Sequence, residues 1–187
     1  NDFCIPVVYG SPKVAAYHRK ALNINNFSFN NIRSADEAHP KKANMINCLD
    51  DNVRVELGKS TQHGGEAAYI SLEKAVEDIK EGRINVLVTA PIDKKNIQSE
   101  HFNFKGHTEY LKTRAGTEDV LMFMISENMR IGFATGHVPL KKVSEALSVD
   151  LLIRKIRLMN HSLKADFGIR KPKIAVLGLN PHAGDNS

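Results

Sequence analysis

The chain has 187 residues, 42% hydrophobic composition and a formal net charge of +5, enough to bury one core or two small lobes. No apolar run approaches the roughly 18 residues of a membrane-spanning helix, and residues 1–6 lack the charged and apolar regions of a secretory leader, so membrane residence and secretion are not expected. Cys4 and Cys48 have no CxxC spacing and read as plain thiols in a reducing cytoplasm. Basic doublets such as Lys41-Lys42, Lys94-Lys95 and Lys141-Lys142 are scattered without interleaved aromatics, which points away from nucleic acid and towards small anions such as phosphates.

In chain order, Ile5-Pro6-Val7-Val8-Tyr9 reads as a short buried strand, and Ser11-Pro12 supplies a cap and first residue for a helix reaching about Leu22. Residues 23–51 are rich in Asn and charge with little periodicity and read as surface structure or an insertion. The alternation Val53-Arg54-Val55-Glu56-Leu57 predicts a strand. After Gly64-Gly65 the stripe Leu72, Ala75, Val76, Ile79 has helical spacing, and Glu81-Gly82 ends it before the apolar run at 84–88, a second strand. Two strands at 120–125 and 130–135 are close enough to form an antiparallel hairpin. Ser148 caps a helix with the apolar face Val149, Leu152, Ile153, Ile156, Leu163 and a stop at Gly168, and residues 174–179 form the last strand. The fold class is therefore α/β, a mostly parallel, mixed sheet with helices on both faces and one antiparallel excursion. Approximate lobes are 1–63 and 64–187.

Ligands of open α/β sheets collect outside the carboxyl ends of the strands, and three segments qualify. One is Thr89-Ala90-Pro91-Ile92-Asp93-Lys94, one is Gly136-His137-Val138-Pro139, and one is Asn180-Pro181-His182-Ala183-Gly184. A divalent cation needs ligands gathered from separate segments when no HxxxH helix supplies them, and His137 and His182 are placed for that role; singly, each also reads as a loop histidine bonded to backbone. His107 and Thr108, in a polar loop before a helix around 110–113, can hydrogen-bond an anionic or hydroxylated substrate, or Thr108 can merely cap that helix. Lys94 can bind phosphate or carboxylate and Asp93 can orient a ligand from behind, against the plainer reading of both as solvated surface groups. GxGxxG, the P-loop and GxSxG are absent, so neither a catalytic residue nor a cofactor-binding residue can be named.

Four strings in this order, Thr89-Ala90-Pro91-Ile92-Asp93-Lys94, Phe104-Lys105-Gly106-His107-Thr108-Glu109-Tyr110, Ala134-Thr135-Gly136-His137-Val138-Pro139-Leu140 and Gly178-Leu179-Asn180-Pro181-His182-Ala183-Gly184, resemble the 4-hydroxythreonine-4-phosphate dehydrogenase family. The resemblance implies an isocitrate/isopropylmalate dehydrogenase-like fold, a cytoplasmic homodimer with a shared active site, and a role in vitamin B6 biosynthesis. It implies His137 and His182 as metal ligands and His107 and Thr108 as substrate contacts in one site. The implied reaction is NAD-dependent oxidation of 4-hydroxythreonine-4-phosphate at C3, NADP being the other nicotinamide cofactor open, then decarboxylation to 3-amino-2-oxopropyl phosphate. The implied divalent metal is zinc, magnesium or cobalt. The family's glycine- and proline-containing first strand-loop and its third metal-binding histidine have no counterpart here. The chain is thus expected to be an incomplete stretch, truncated at both ends and inactive by itself. Two alternatives are a related dehydrogenase of phosphorylated threonate or erythronate, and a non-catalytic metal-binding or dimerisation module.

Overall fold

The computed structural model describes residues 3–50, 53–182 and 185, and the chain forms two compact units, Asn1–Gly116 and Thr117–Ser187. The division expected near residue 63 falls instead in the first turn of a helix of the first unit. No helix among the described residues is long and apolar enough to cross a membrane.

The first unit runs β1 (Val7–Gly10), α1 (Pro12–Ala21), β2 (Asn30–Ile32), a 3₁₀ turn (Ala35–Glu37), β3 (Asn44–Asn47), α2 (Gln62–Lys80) and α3 (His107–Ala115). Ser11 caps α1 as expected, its hydroxyl accepting from the Val14 N–H at 3.3 Å. The three strands form a parallel sheet in the order β1-β3-β2. Its central strand, β3, lies in the stretch expected to be surface structure or an insertion. Met45 and Ile46 are buried there, and so is Asn44. A buried amide must be satisfied: Asn44 Nδ2 donates to the carbonyls of Pro6, His39 and Lys42, and its Oδ1 accepts from Asn30 Nδ2 and the His39 N–H. The asparagines that read as loop composition are thus the polar frame of the sheet.

Helix α2 has the predicted apolar stripe, with Leu72, Ala75 and Val76 buried. It packs on β1 and is tied there by buried Asp78, whose carboxylate accepts from the Tyr9 hydroxyl at 2.7 Å and from Arg83 Nη1 at 2.6 Å. Burial and this bond to a carboxylate push the Tyr9 phenol well above its ordinary value. The core of the unit is Leu72, Val76, Ile97, Phe102 and Tyr110, joined by Tyr69 and Phe104.

The second unit comprises β4 (Phe123–Ile125), β5 (Arg130–Gly132), a 3₁₀ turn (Leu140–Lys142), α4 (Val143–Ala146) and α5 (Val149–Ala165). The hairpin forms with Ile125 opposite Arg130, but it is a separate two-stranded sheet and does not mix the parallel one. Helix α5 begins at its Ser148 cap and ends where Gly168, at φ 67, turns the chain so that the Ile169 N–H reaches the Leu163 carbonyl at 2.9 Å.

Three expected strands are not strands. Residues 53–57, 84–88 and 174–179 have no ladder among the described residues. In the last two several apolar side chains face solvent, Val88 and Leu177 each 89% exposed, while Leu87 packs against the core of the first unit. An apolar run specifies a buried strand only where neighbours supply hydrogen bonds and cover both faces, and neither run has a paired strand among the described residues.

Candidate functional site

In the first unit, the loop after residue 88 is organised by Asp93. Its Oδ1 accepts from the N–H groups of Lys95 and Asn96, and its Oδ2 accepts from Ser60 Oγ at 2.7 Å. The Ser60 bond, followed by the two backbone bonds, holds this carboxyl below the usual carboxylate range. Asn96 Nδ2 in turn donates to the carbonyl of Thr61, the N-cap of α2. The loop therefore sits on the first turn of α2, and Gly65 is what lets it do so: a Cβ there would lie 1.9 Å from the Asn96 carbonyl oxygen.

That loop carries Lys94 to the start of α3. A Cβ on Gly106 would lie 3.7 Å from Lys94 Cε, and His107, the first residue of α3, feels the lysine's charge. Burial first, and Lys94 second, hold the His107 imidazole below the ordinary histidine range, so the pair at neutral pH is a neutral imidazole beside an ammonium. Gly106 is the N-cap of α3 and offers no side-chain cap. Thr108 is therefore not the cap; it stands inside the first turn with its side chain exposed. The first N–H groups of a helix have no intrahelical acceptor, so Lys94, His107, Thr108 and this helix end together offer donors and positive potential to an anion. An open cleft of about 460 Å³ elsewhere in the unit, lined by Lys13, Tyr17, Arg54 and Glu56 among others, shares no residue with this group.

In the second unit, His137 lies in the loop beyond β5, exposed and at φ 56, in the left-handed region. A histidine there needs its loop to impose the conformation. His182 is also exposed; its N–H bonds to Asn180 Oδ1, and its Nδ1 lies 2.8 Å from Asp185 Oδ2. A carboxylate on Nδ1 favours the tautomer that leaves Nε2 as the free acceptor, as in histidines that ligate metals. The donor chemistry suits zinc, cobalt or magnesium to differing degrees, but no group of three His, Cys, Asp or Glu gathers among the described residues. Ala183 and Gly184 of the fourth string lie outside the described residues.

Several residues that build the first-unit group gave little sign of it. Ser60, Thr61 and Asn96 carry no motif and were not among the expected site residues. Gly64-Gly65 read as a boundary, although two glycines in a first turn, costing about 1 kcal/mol each against alanine, are a signal that something packs close.

A parallel sheet with helices, and polar loops converging on a helix start, is the architecture of the isocitrate dehydrogenase-like α/β class, and the solved structures agree. The 4-hydroxythreonine-4-phosphate dehydrogenase of Burkholderia phymatum superposes with a TM-score of 0.81 at 28% identity, over 98% of this chain and 56% of that one. The family model described as pyridoxal phosphate biosynthetic protein PdxA matches residues 2–187, and the chain belongs to that family. It is 47% identical to the 4-hydroxythreonine-4-phosphate dehydrogenase of Bacteroides thetaiotaomicron, over 98% of this chain and 50% of the relative. It is 33% identical to a Cutibacterium acnes protein with the provisional name D-threonate 4-phosphate dehydrogenase, over 97% and 53%. The chain thus spans about half the length of the curated relatives it matches.

Proposed function

We propose that the chain is part of a dehydrogenase that oxidises 4-hydroxythreonine-4-phosphate at C3 with NAD and releases CO₂ to give 3-amino-2-oxopropyl phosphate for pyridoxal phosphate synthesis. The observation that carries the reading is the family match over 2–187; the group Lys94, His107 and Thr108 at the start of α3 gives it a chemical footing. Lys94 holds an anionic group of the substrate as a point charge. His107, kept neutral by burial and by Lys94, can donate from one ring nitrogen and accept at the other, and the exposed Thr108 hydroxyl completes the contact.

His137 and His182 are the residues that would hold a divalent cation, with a further donor from outside the described residues. Such an ion supplies Lewis-acid stabilisation of negative charge on a carbinol or carbonyl oxygen. Asp185 orients His182 by holding its Nδ1. The whole protein is read as a homodimer in the cytoplasm, a compartment that suits the two free thiols Cys4 and Cys48.

The test is NAD reduction by the whole protein on 4-hydroxythreonine-4-phosphate and, in parallel, on D-threonate 4-phosphate. Turnover of the first well above the second is expected; the reverse would transfer the chain to the sugar-acid substrate of its Cutibacterium acnes relative. His137→Ala and His182→Ala are expected to lose metal and activity together, and normal metal content in both would refute the ligand assignment.

A further inference from the structure

We propose that Glu73 is a positioning residue for the substrate site: from α2 it binds both Tyr110 and Arg114 of α3, and so fixes the rotation and axial place of the helix that presents His107 and Thr108. The proposal rests on the reading of those two residues as substrate contacts. The Glu73 carboxylate accepts the Tyr110 hydroxyl on one oxygen and pairs with Arg114 Nη2 on the other. Tyr110 is buried, and that burial, followed by the bond to Glu73, pushes its phenol far above the ordinary range. The Arg114 Nε is buried with no hydrogen-bond partner among the described residues, so the contact with Glu73 is this guanidinium's anchor.

The geometry explains why these two bonds matter for His107. Tyr110 and Arg114 stand at i+3 and i+7 from His107, on one stripe of α3. Two attachments a turn apart resist both turning and sliding. The rings of Phe102 and Phe104 around Tyr110 fix how close the helix lies, but apolar packing is non-directional and leaves rotation loosely set. At the helix start Glu109 accepts the Lys105 N–H at 2.8 Å, a bond local to the chain that does not tie α3 to α2; α3 is nine residues long with no side-chain bond from its N-cap, and so short a helix takes its place from tertiary contacts. With a backbone radius of about 2.3 Å and side chains reaching several Å further, a rotation of about 20° carries the imidazole by roughly 2 Å. A displacement on that scale takes a donor out of hydrogen-bond range of a bound substrate.

The experiment uses the whole protein and four variants, Glu73→Ala, Glu73→Gln, Tyr110→Phe and His107→Ala, with KM, kcat and the His107 imidazole resonances as readouts. Glu73→Ala is expected to raise KM for the phosphorylated substrate about tenfold, as the loss of a substrate hydrogen bond would, with a smaller change in kcat, and to shift the His107 resonances. Glu73→Gln, which keeps an acceptor for Tyr110, should restore much of both, and Tyr110→Phe should resemble a mild Glu73→Ala. If Glu73→Ala does not fold, the latter two carry the test. A lowered denaturation midpoint with KM and the His107 resonances as in the parent would mean a purely structural Glu73 and would overturn the proposal. An unchanged KM in His107→Ala would instead refute the substrate-contact reading, and the resonances in the Glu73 variants would still report whether Glu73 positions the helix.

Discussion

Replacing Gly65 with alanine tests how the loop bearing Lys94 is seated. The added Cβ would lie 1.9 Å from the Asn96 carbonyl oxygen, 2.5 Å from its carbon and 3.0 Å from the Ile97 nitrogen. All three are backbone atoms, so no side chain can swing aside. Restoring ordinary contact near 3.5 Å requires the loop to retreat by about 1.5 Å. That displacement would strain or break the bonds Asn96 Nδ2 to Thr61 O and Ser60 Oγ to Asp93, each worth about 1 kcal/mol. Overpacking adds about 1–3 kcal/mol, while alanine's better helix propensity returns about 1 kcal/mol. With both bonds lost the net expectation is about 2–4 kcal/mol of lost stability in urea denaturation, together with a rise in KM for the phosphorylated substrate as Lys94 moves. Gly64→Ala is the control: its Cβ would meet Thr61 Oγ1 at 3.2 Å, a contact a small adjustment relieves, so its stability should stay near the parent's. A Gly65→Ala protein as stable as the parent, with unchanged KM, would refute the argument that the loop rests on this glycine.

The remaining predictions concern other links. Because His107 is held below the ordinary histidine range by burial and then by Lys94, the unfolded chain binds more protons than the folded one just below about pH 6.5. Stability should therefore fall as pH drops through that value and level off below the folded pKa; His107→Gln should flatten this slope, and an unaltered slope would contradict the assignment. Lys94→Met should raise the His107 titration midpoint measured by NMR, and no movement would show that the two charges do not couple. Tyr9→Phe removes a hydroxyl bonded to the buried Asp78 and should cost about 1.5 kcal/mol, with no loss expected if solvent replaces that bond. Asp185→Asn should weaken metal binding by the whole protein about tenfold or more through His182; an unchanged affinity would show that Asp185 does not orient the ligand.

The parts of the fold legible in the sequence are those whose signal is local. Ser11-Pro12 marked the start of α1, Ser148 and Gly168 bracketed α5, and the stripe Leu72, Ala75, Val76 marked α2 because each is decided within a few turns of chain. Strand β3 escaped because what makes it central is Asn44 bonding to Pro6 and Asn30, residues distant in sequence. The runs at 84–88 and 174–179 went the other way, since apolar composition predicts strands and only partners make them. In the site, His107 and Lys94 were visible as chemistry, and their proximity became visible only through Gly65 and Asn96, which hold no reactive group. Glu73 gave no signal at all, as one acidic residue on a helix among several.

Asn44 also makes the sheet sensitive to the chemistry of one side chain. Its Nδ2 faces the carbonyls of Pro6, His39 and Lys42, so hydrolysis of this one amide to a carboxylic acid would turn an oxygen towards three others. An ionised carboxylate there would keep the donors Asn30 Nδ2 and the His39 N–H but would be repelled by the three carbonyls that now accept from Nδ2. The arrangement of β1, β3 and β2 thus depends on distinguishing one nitrogen from one oxygen at a single buried position.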